Sequence, residues 1–284
     1  MENSRITYDS SEMLRTINYG LDKLNTVRYD SKYKMLLGEG IIEKLNRWDN
    51  VIRIQTEEPL TVVVCGDFKR GKSSLINAIL GEDVVTTDIT TETITINKIS
   101  YGEHSNEIIL SGGKRIKLKD EELKSERLKD ILKSNTVGSN QLLLKRPIEL
   151  LKGVTIIDTP GLGDSLADFS EDVEKALRMA DAVIYVFSIS YPLSTQEQYF
   201  IKTNIVPQKY TDLILVGNYS DIIENEEDYK KVQITVKKRI YDIIPDIEPV
   251  FVSALDERCK QLEQMSSFRQ QLLPLQGMFR FQLL

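Results

Sequence analysis

The sequence predicts an α/β protein of three layers, with a mostly parallel central sheet and further helices at its flank. Three observations predict it. Short apolar runs rich in β-branched residues, at 60–65, 154–157, 182–187 and 213–216, alternate with segments of helical spacing. That is the pattern of parallel strands covered on both faces. The first run ends in Gly66-Asp67-Phe68-Lys69-Arg70-Gly71-Lys72-Ser73, which meets the pattern G-x-x-x-x-G-K-[ST] at every fixed position. Two apolar stripes at helical spacing precede it, Met13, Ile17, Leu21, Leu24 and Val27, then Leu37, Ile41, Leu45 and Trp48.

Those stripes predict helices over 11–28 and 36–55, with Gly38 and Gly40 loosening the start of the second. Glu57-Glu58-Pro59 then breaks the helix. Residues 60–65 read as a buried strand and 73–80 as a helix stopped by Gly81. Strand, glycine loop and helix together form a phosphate cradle. The glycines let the backbone close on a phosphate, and successive N–H groups make an anion nest at a positive helix end. Lys72 is placed to put its charge on the β- and γ-phosphates and the Ser73 hydroxyl to ligate Mg²⁺, while Ser74 belongs with the nucleotide-binding residues of the loop.

The stretch 83–92 is polar and rich in threonine, placed to fold over a γ-phosphate, with one threonine offering its hydroxyl to Mg²⁺. Period-two alternation makes 93–100 a strand. Ser111-Gly112-Gly113 between 107–110 and 114–118 signals a hairpin. A charged helix over 120–133 and short strands at 141–146 and 148–151 follow. The strand at 154 ends in Asp158-Thr159-Pro160-Gly161, a D-x-x-G. Asp158 is positioned to hold Mg²⁺ through water and the Gly161 N–H to meet a γ-phosphate, so the segment to about Asp168 is a candidate switch. Beyond it come a helix at 173–179, a strand at 182–187, a helix at 194–204 and a strand at 213–216.

Gly217-Asn218-Tyr219-Ser220-Asp221 then occupies the place of N-K-x-D. An aspartate there accepts from guanine N1–H and the 2-amino group, a donor pair that adenine lacks, so Asp221 would select GTP and Asn218 would brace the base. Tyr219 stands where lysine is usual, and its ring offers a stacking surface instead. A helix at 226–241 and a strand at 249–252 lead to Ser253-Ala254, placed for backbone contacts to the guanine oxygen.

Composition narrows the function further. The 284 residues carry 37 Lys+Arg against 43 Asp+Glu, a net charge of −6, which argues against a general nucleic-acid-binding surface. Two cysteines, Cys65 and Cys259, indicate no disulfide framework, and the single histidine, His104, sits in a polar turn. The start is polar, unlike a signal peptide, and no apolar run reaches the length of a membrane span. These features lead to the expectation of a cytoplasmic protein.

The run from Gly66 to Gly81, the Thr90-Thr91 stretch with its following strand and Tyr101-Gly102, and the stretch from Val154 to Asp164 resemble the amino-terminal GTPase domain of bacterial dynamin-like proteins. The resemblance covers roughly 59–256. It implies a three-layer P-loop GTPase domain over 59–258 that binds GTP/GDP with Mg²⁺, a helical neck-like segment over 1–58, and a short tail at 259–284 without the family's trunk. By the same resemblance Thr91 is the switch threonine, with Thr90 second. It also implies a homodimer through the nucleotide face and peripheral contact with a membrane. One departure bears on catalysis. Eukaryotic dynamins carry a water-positioning glutamine two residues after the first loop glycine, where this chain has Phe68. Lys69 or Arg70 offsetting charge in cis, or a partner chain, would then be needed. Rival readings are a GTPase of another class, a nucleotide-gated interaction module that does not hydrolyse, and an ATPase.

Overall fold

A computed structural model of the chain describes residues 10–57, 59–86, 96–123, 128, 140–161, 171–208, 210, 212–245 and 247–255. The chain forms two compact units, and among the described residues the boundary falls between Pro59 and Leu60.

In the first unit, α1 (Ser10–Tyr29), α2 (Ser31–Leu37) and α3 (Glu39–Glu57) follow one another. Asp30 caps α2 by accepting from the Lys32 N–H. The predicted helix over 36–55 is interrupted near its start. Gly38, with φ of 74°, ends α2, so the second long helix begins only at Glu39. The buried Arg28 joins α1 to α3, donating to Asn46 Oδ1 at 2.7 Å and pairing with Asp49 at 2.6 Å. Of the predicted apolar stripe on α3, Ile41 and Trp48 are exposed.

The second unit is built on one nine-stranded sheet of order β4-β3-β5-β2-β6-β1-β7-β8-β9. The strands are β1 (Leu60–Cys65), β2 (Ile96–Tyr101), β3 (Ser105–Ile109), β4 (Arg115–Leu118), β5 (Gln141–Arg146), β6 (Val154–Asp158), β7 (Ala182–Ser188), β8 (Asp212–Asn218) and β9 (Val250–Phe251). β6, β1, β7, β8 and β9 run parallel, and so do β2 and β5. β2 meets β6 antiparallel, and β3 is antiparallel to both β4 and β5. The helices are α4 (Lys72–Leu80), α5 (Asp120–Leu123), α6 (Glu171–Arg178), α7 (Thr195–Phe200) and α8 (Glu226–Tyr241).

Burial explains the parallel half. Every residue of β7 is buried, as expected of a strand covered on both faces. On one face Val63, Cys65, Val183, Tyr185, Phe187 and Leu215 pack with Val173, Ala176 and Leu177 of α6, Phe200 of α7, and Val236 and Ile240 of α8. Val62 and Val64 alternate to the other face, the side on which α4 buries Leu75, Ile76 and Ile79.

Several predicted elements change form. The expected strand at 148–151 is a 3-10 turn, Glu149–Leu151, closed by the Leu151 N–H on Ile148 O and the Lys152 N–H on Glu149 O. Pro147 has no N–H to extend the β5 ladder, and Gly153 at φ 74° turns the chain into β6. The helix expected at 194–204 is α-helical only to Phe200, then widens into a π turn, Ile201–Ile205. The last strand shortens to Val250–Phe251. Residues 93–95, the end of the helix at 120–133 other than residue 128, the segment 162–168, Cys259 and the tail at 259–284 lie outside the described residues.

Candidate functional site

Because β1, β6, β7, β8 and β9 are parallel, their C-terminal ends open on one edge of the sheet. The crevice at such an edge is where open α/β sheets bind ligands. The phosphate loop leaves β1 there. It passes so close to β7 that a Cβ on Gly66 would lie 2.1 Å from Val186 O. Lys69 takes the left-handed conformation, φ 55°. Gly71, at φ 80°, caps α4, and a Cβ there would lie 2.2 Å from Asn218 Nδ2 and 3.0 Å from Tyr219 Oη. The glycine pattern thus serves the packing of the loop on its neighbours.

Lys72 is buried beneath the loop and donates to Gly66 O at 3.0 Å and Asp67 O at 2.9 Å. Ser73 Oγ donates to Asp158 Oδ2 at 3.0 Å. Asp158, at the end of β6, is 3 % exposed, and its second oxygen, Oδ1, has no hydrogen-bond partner. Burial lowers the Lys72 pKa and raises that of Asp158, while each charge partly sustains the other. A phosphate against Lys72 and a cation against Asp158 would relieve both.

The donor set fits Mg²⁺. A hydroxyl and a carboxylate are hard oxygen ligands, and Mg²⁺ is commonly held by one or two protein oxygens together with substrate phosphates and water. The unpartnered buried Asp158 oxygen would otherwise cost about 1–3 kcal/mol. Asn97 on β2, which the sequence reading passed over, donates through Nδ2 to Asp158 Oδ2 at 3.0 Å. Thr159, after Asp158, is held by its hydroxyl on Val64 O at 3.0 Å. Gly161 lies against the phosphate loop, where a Cβ would meet Phe68 Cα at 2.7 Å.

On the other side of the loop, Asn218 at the end of β8 is fully buried. Its Nδ2 donates to Arg70 O at 3.1 Å. Its Oδ1 accepts from the Tyr219 N–H at 2.8 Å and the Ala254 N–H at 3.1 Å. One side chain therefore joins the phosphate loop, the N-K-x-D position and the Ser253-Ala254 turn. Tyr219, at φ 70°, reaches back and donates its hydroxyl to Lys69 O at 3.1 Å. Asp221 follows, exposed, in the 3-10 turn Ser220–Ile222, and Ser253 is buried.

The loop cations have distinct environments. Arg70 pairs with Asp67 at 2.9 Å and with Glu197 of α7 at 3.1 Å. Glu197 is fully buried and also closes the N-terminal capping box of α7 with Ser194. The sequence spacing Ser194-x-x-Glu197 carries that box, but the link to Arg70 is long-range and has no local signature. Lys69 Nζ stands 5.4 Å from the centre of the exposed Phe68 ring. Cys65 is buried under the loop, and burial pushes its thiol up to about 12, so it is inert at neutral pH. Thr90 and Thr91 lie outside the described residues. Among the described residues no helix is long and apolar enough to cross a membrane, and no cluster of three His, Cys, Asp or Glu side chains could hold a metal.

The profile of the dynamin family matches residues 62–218, which include the phosphate loop, the D-x-x-G and Asn218. The chain is 26% identical over 237 residues to an uncharacterized Caldicellulosiruptor protein encoded in the xynA 3′ region, covering 82% of this chain and 57% of that protein. It is 24% identical over 292 residues to dynamin-like protein 1 of Campylobacter jejuni, covering 90% of this chain and 38% of that one. It thus spans less than two thirds of these relatives' lengths. Among solved structures, its fold matches a chain of an oligomerised bacterial dynamin pair described as sensing and tethering membranes, with TM-score 0.65 and 18% identity, over 96% of this chain and 44% of that one. LeoA, a bacterial dynamin GTPase from ETEC, matches with TM-score 0.57 and 15% identity, over 96% of this chain and 45% of that one.

Proposed function

The chain belongs to the dynamin family, and from that premise we propose that it binds GTP with Mg²⁺ and hydrolyses it to GDP and phosphate. Residues 59–258 would be the GTPase domain and 1–58 a helical neck-like segment. The observation that carries the proposal is the meeting of three groups at one sheet edge. These are the phosphate loop with buried Lys72, the Ser73–Asp158 pair with its unpartnered oxygen, and the Asn218-Tyr219-Ser220-Asp221 turn bonded to the loop.

In this reading the loop amides of 66–74 and Lys72 hold the phosphates, and Lys72 exchanges a loop carbonyl for a phosphate oxygen. Ser73, Asp158 and Thr91 would hold Mg²⁺, which would supply neutralisation of phosphate charge. The Gly161 N–H meets the γ-phosphate. Asp221 accepts from the guanine N1–H and 2-amino group, Asn218 braces the base-side turn, and Ser253-Ala254 lines the guanine oxygen. Hydrolysis is then positioning and electrostatics, and no nucleophilic side chain is required.

With Phe68 in the glutamine position, the attacking water needs another orienting group. Arg70 is engaged by Asp67 and Glu197 and acts as a brace of the loop, which leaves Lys69 as the loop cation nearest to that task. A second copy of the chain, docked on the nucleotide face, would supply the remainder, so turnover rises on dimerisation. Membrane contact is inferred from the family likeness alone. The exposed Phe68 also favours one second reading, a GTP-gated interaction module that hydrolyses too slowly to reset itself.

The test is GTP hydrolysis, with ATP as control, over a series of protein concentrations beside Lys72→Ala. Turnover per chain that rises with concentration and vanishes in the variant supports the dimer-activated GTPase. Tight GTP binding with no turnover at any concentration supports the gated module, and absence of guanine-nucleotide binding refutes both.

A further inference from the structure

Asn97 and Asp158 face each other across the antiparallel pair of β2 and β6. The amide of Asn97 donates from Nδ2 to Asp158 Oδ2 at 3.0 Å, and the same oxygen accepts from Ser73 Oγ. The amide must stand this way round, because a flip would set its carbonyl oxygen against the carboxylate. Two buried acceptors then remain on this cross-strand pair, Asn97 Oδ1 and Asp158 Oδ1, and neither has a donor. The chain supplies oxygens here and withholds hydrogens. Water bound to a divalent cation has the complementary character, since its oxygens face the metal and its hydrogens point outward. Mg²⁺ keeps several such waters when a protein binds it.

We propose that Asn97 is a positioning residue of the Mg²⁺ site: Nδ2 fixes the Asp158 carboxylate, and Oδ1 accepts a hydrogen bond from a water on the cation. The inference rests on the Mg²⁺–guanine-nucleotide reading of this edge. It adds a residue from β2, a strand outside both the phosphate loop and the D-x-x-G. Partners that orient a metal's ligands typically change metal affinity 10–100-fold when removed. An asparagine that served only the packing of β2 on β6 would instead affect nucleotide binding equally with and without metal.

The experiment titrates Mg²⁺ against a fixed concentration of the full chain and fluorescent mant-GDP, with a parallel affinity measurement in EDTA. It compares wild type, Asn97→Ala and Asn97→Thr. Threonine is well suited to a strand and keeps a hydroxyl, so it carries the test if the alanine variant does not fold. The expected result is a half-saturating Mg²⁺ concentration raised about ten-fold in Asn97→Ala and roughly three-fold in Asn97→Thr. Affinities in EDTA stay within about two-fold of wild type, since the contacts to nucleotide are untouched. Unchanged Mg²⁺ midpoints beside a Mg²⁺-dependent wild type overturn the role of Asn97 alone. A loss in EDTA as large as the loss in Mg²⁺ reduces Asn97 to a structural residue. Wild-type binding that ignores Mg²⁺ overturns the metal site and this inference together, and no binding of mant-GDP at all overturns the proposed function.

Discussion

Changing Tyr219 to Phe deletes one atom and tests whether the tyrosine is a clamp on the phosphate loop or only a surface for the base. The hydroxyl donates to Lys69 O at 3.1 Å, a neutral bond in an exposed position. Such a bond contributes about 0.5–1.5 kcal/mol net. At about 1.4 kcal/mol per factor of ten, that is roughly a two- to twelve-fold change in an equilibrium. The acceptor belongs to Lys69, a non-glycine residue at φ 55°, and a left-handed residue of this kind persists only when its surroundings hold it. Without the hydroxyl the loop relaxes, and the fraction competent to bind phosphate falls. The assay is stopped-flow release of mant-GDP in excess GDP. Release of GDP from Tyr219→Phe is expected to quicken roughly two- to twelve-fold, while preference for GDP over ADP is unchanged because the ring remains. Tyr219→Lys offers an aliphatic stem and an ammonium to the same carbonyl, and is expected to return release to within about two-fold of wild type. A release rate identical in wild type and Tyr219→Phe refutes the clamp. A fall in base preference with the hydroxyl alone assigns Tyr219 to base readout instead.

Asp221→Asn exchanges an acceptor for a donor toward the base, so competition assays should show xanthine nucleotides displacing guanine nucleotides; retained guanine preference would remove Asp221 from base recognition. Gly161→Ala drives a Cβ into the Phe68 backbone, 2.7 Å from its Cα. Backbone cannot yield as a side chain does, so thermal unfolding should report a loss of roughly 1–3 kcal/mol, with affinity for GTP falling more than that for GDP. Asp212, at the start of β8, has its carboxyl pushed up to about 6 by burial. A carboxyl raised in the folded state is disfavoured as an anion there. The cost is therefore fully present above about pH 6 and disappears as pH falls below about 4, the pKa of the unfolded carboxyl. Asp212→Asn should stabilise the protein at pH 7.5 by roughly 1 kcal/mol, the full linkage value being reduced for a half-exposed carboxylate, and not at pH 4. Equal melting temperatures of the two proteins at both pH values would remove the burial penalty.

What the sequence made legible was local. The phosphate loop could be read because its glycines, lysine and serine sit within eight positions, and the buried strands because β-branched runs are continuous. Asp158 was legible because a strand end and a following glycine lie together. The side chains that tie these pieces to one another were not. Asn97 meets Asp158 across 61 residues, Arg70 meets Glu197 across 127, and Tyr219 meets Lys69 across 150. Such pairs depend on strand order, which periodicity does not encode. Asparagine in a strand, as at 97, is disfavoured and was the one available hint. The turn at Glu149–Leu151 was misread as strand because apolar residues there bury against the sheet without joining its ladder.

The sheet has two outer margins, and neither invites another strand. One is β9, only two residues long. The other is β4, four residues long, with Arg115 and Lys117 exposed along it and Lys114 and Lys119 at its ends. Short length and positive charge both discourage backbone pairing between molecules. Among the described residues, growth of a ribbon edge to edge between copies of this chain is therefore disfavoured at both margins, and contact between copies is left to side-chain surfaces.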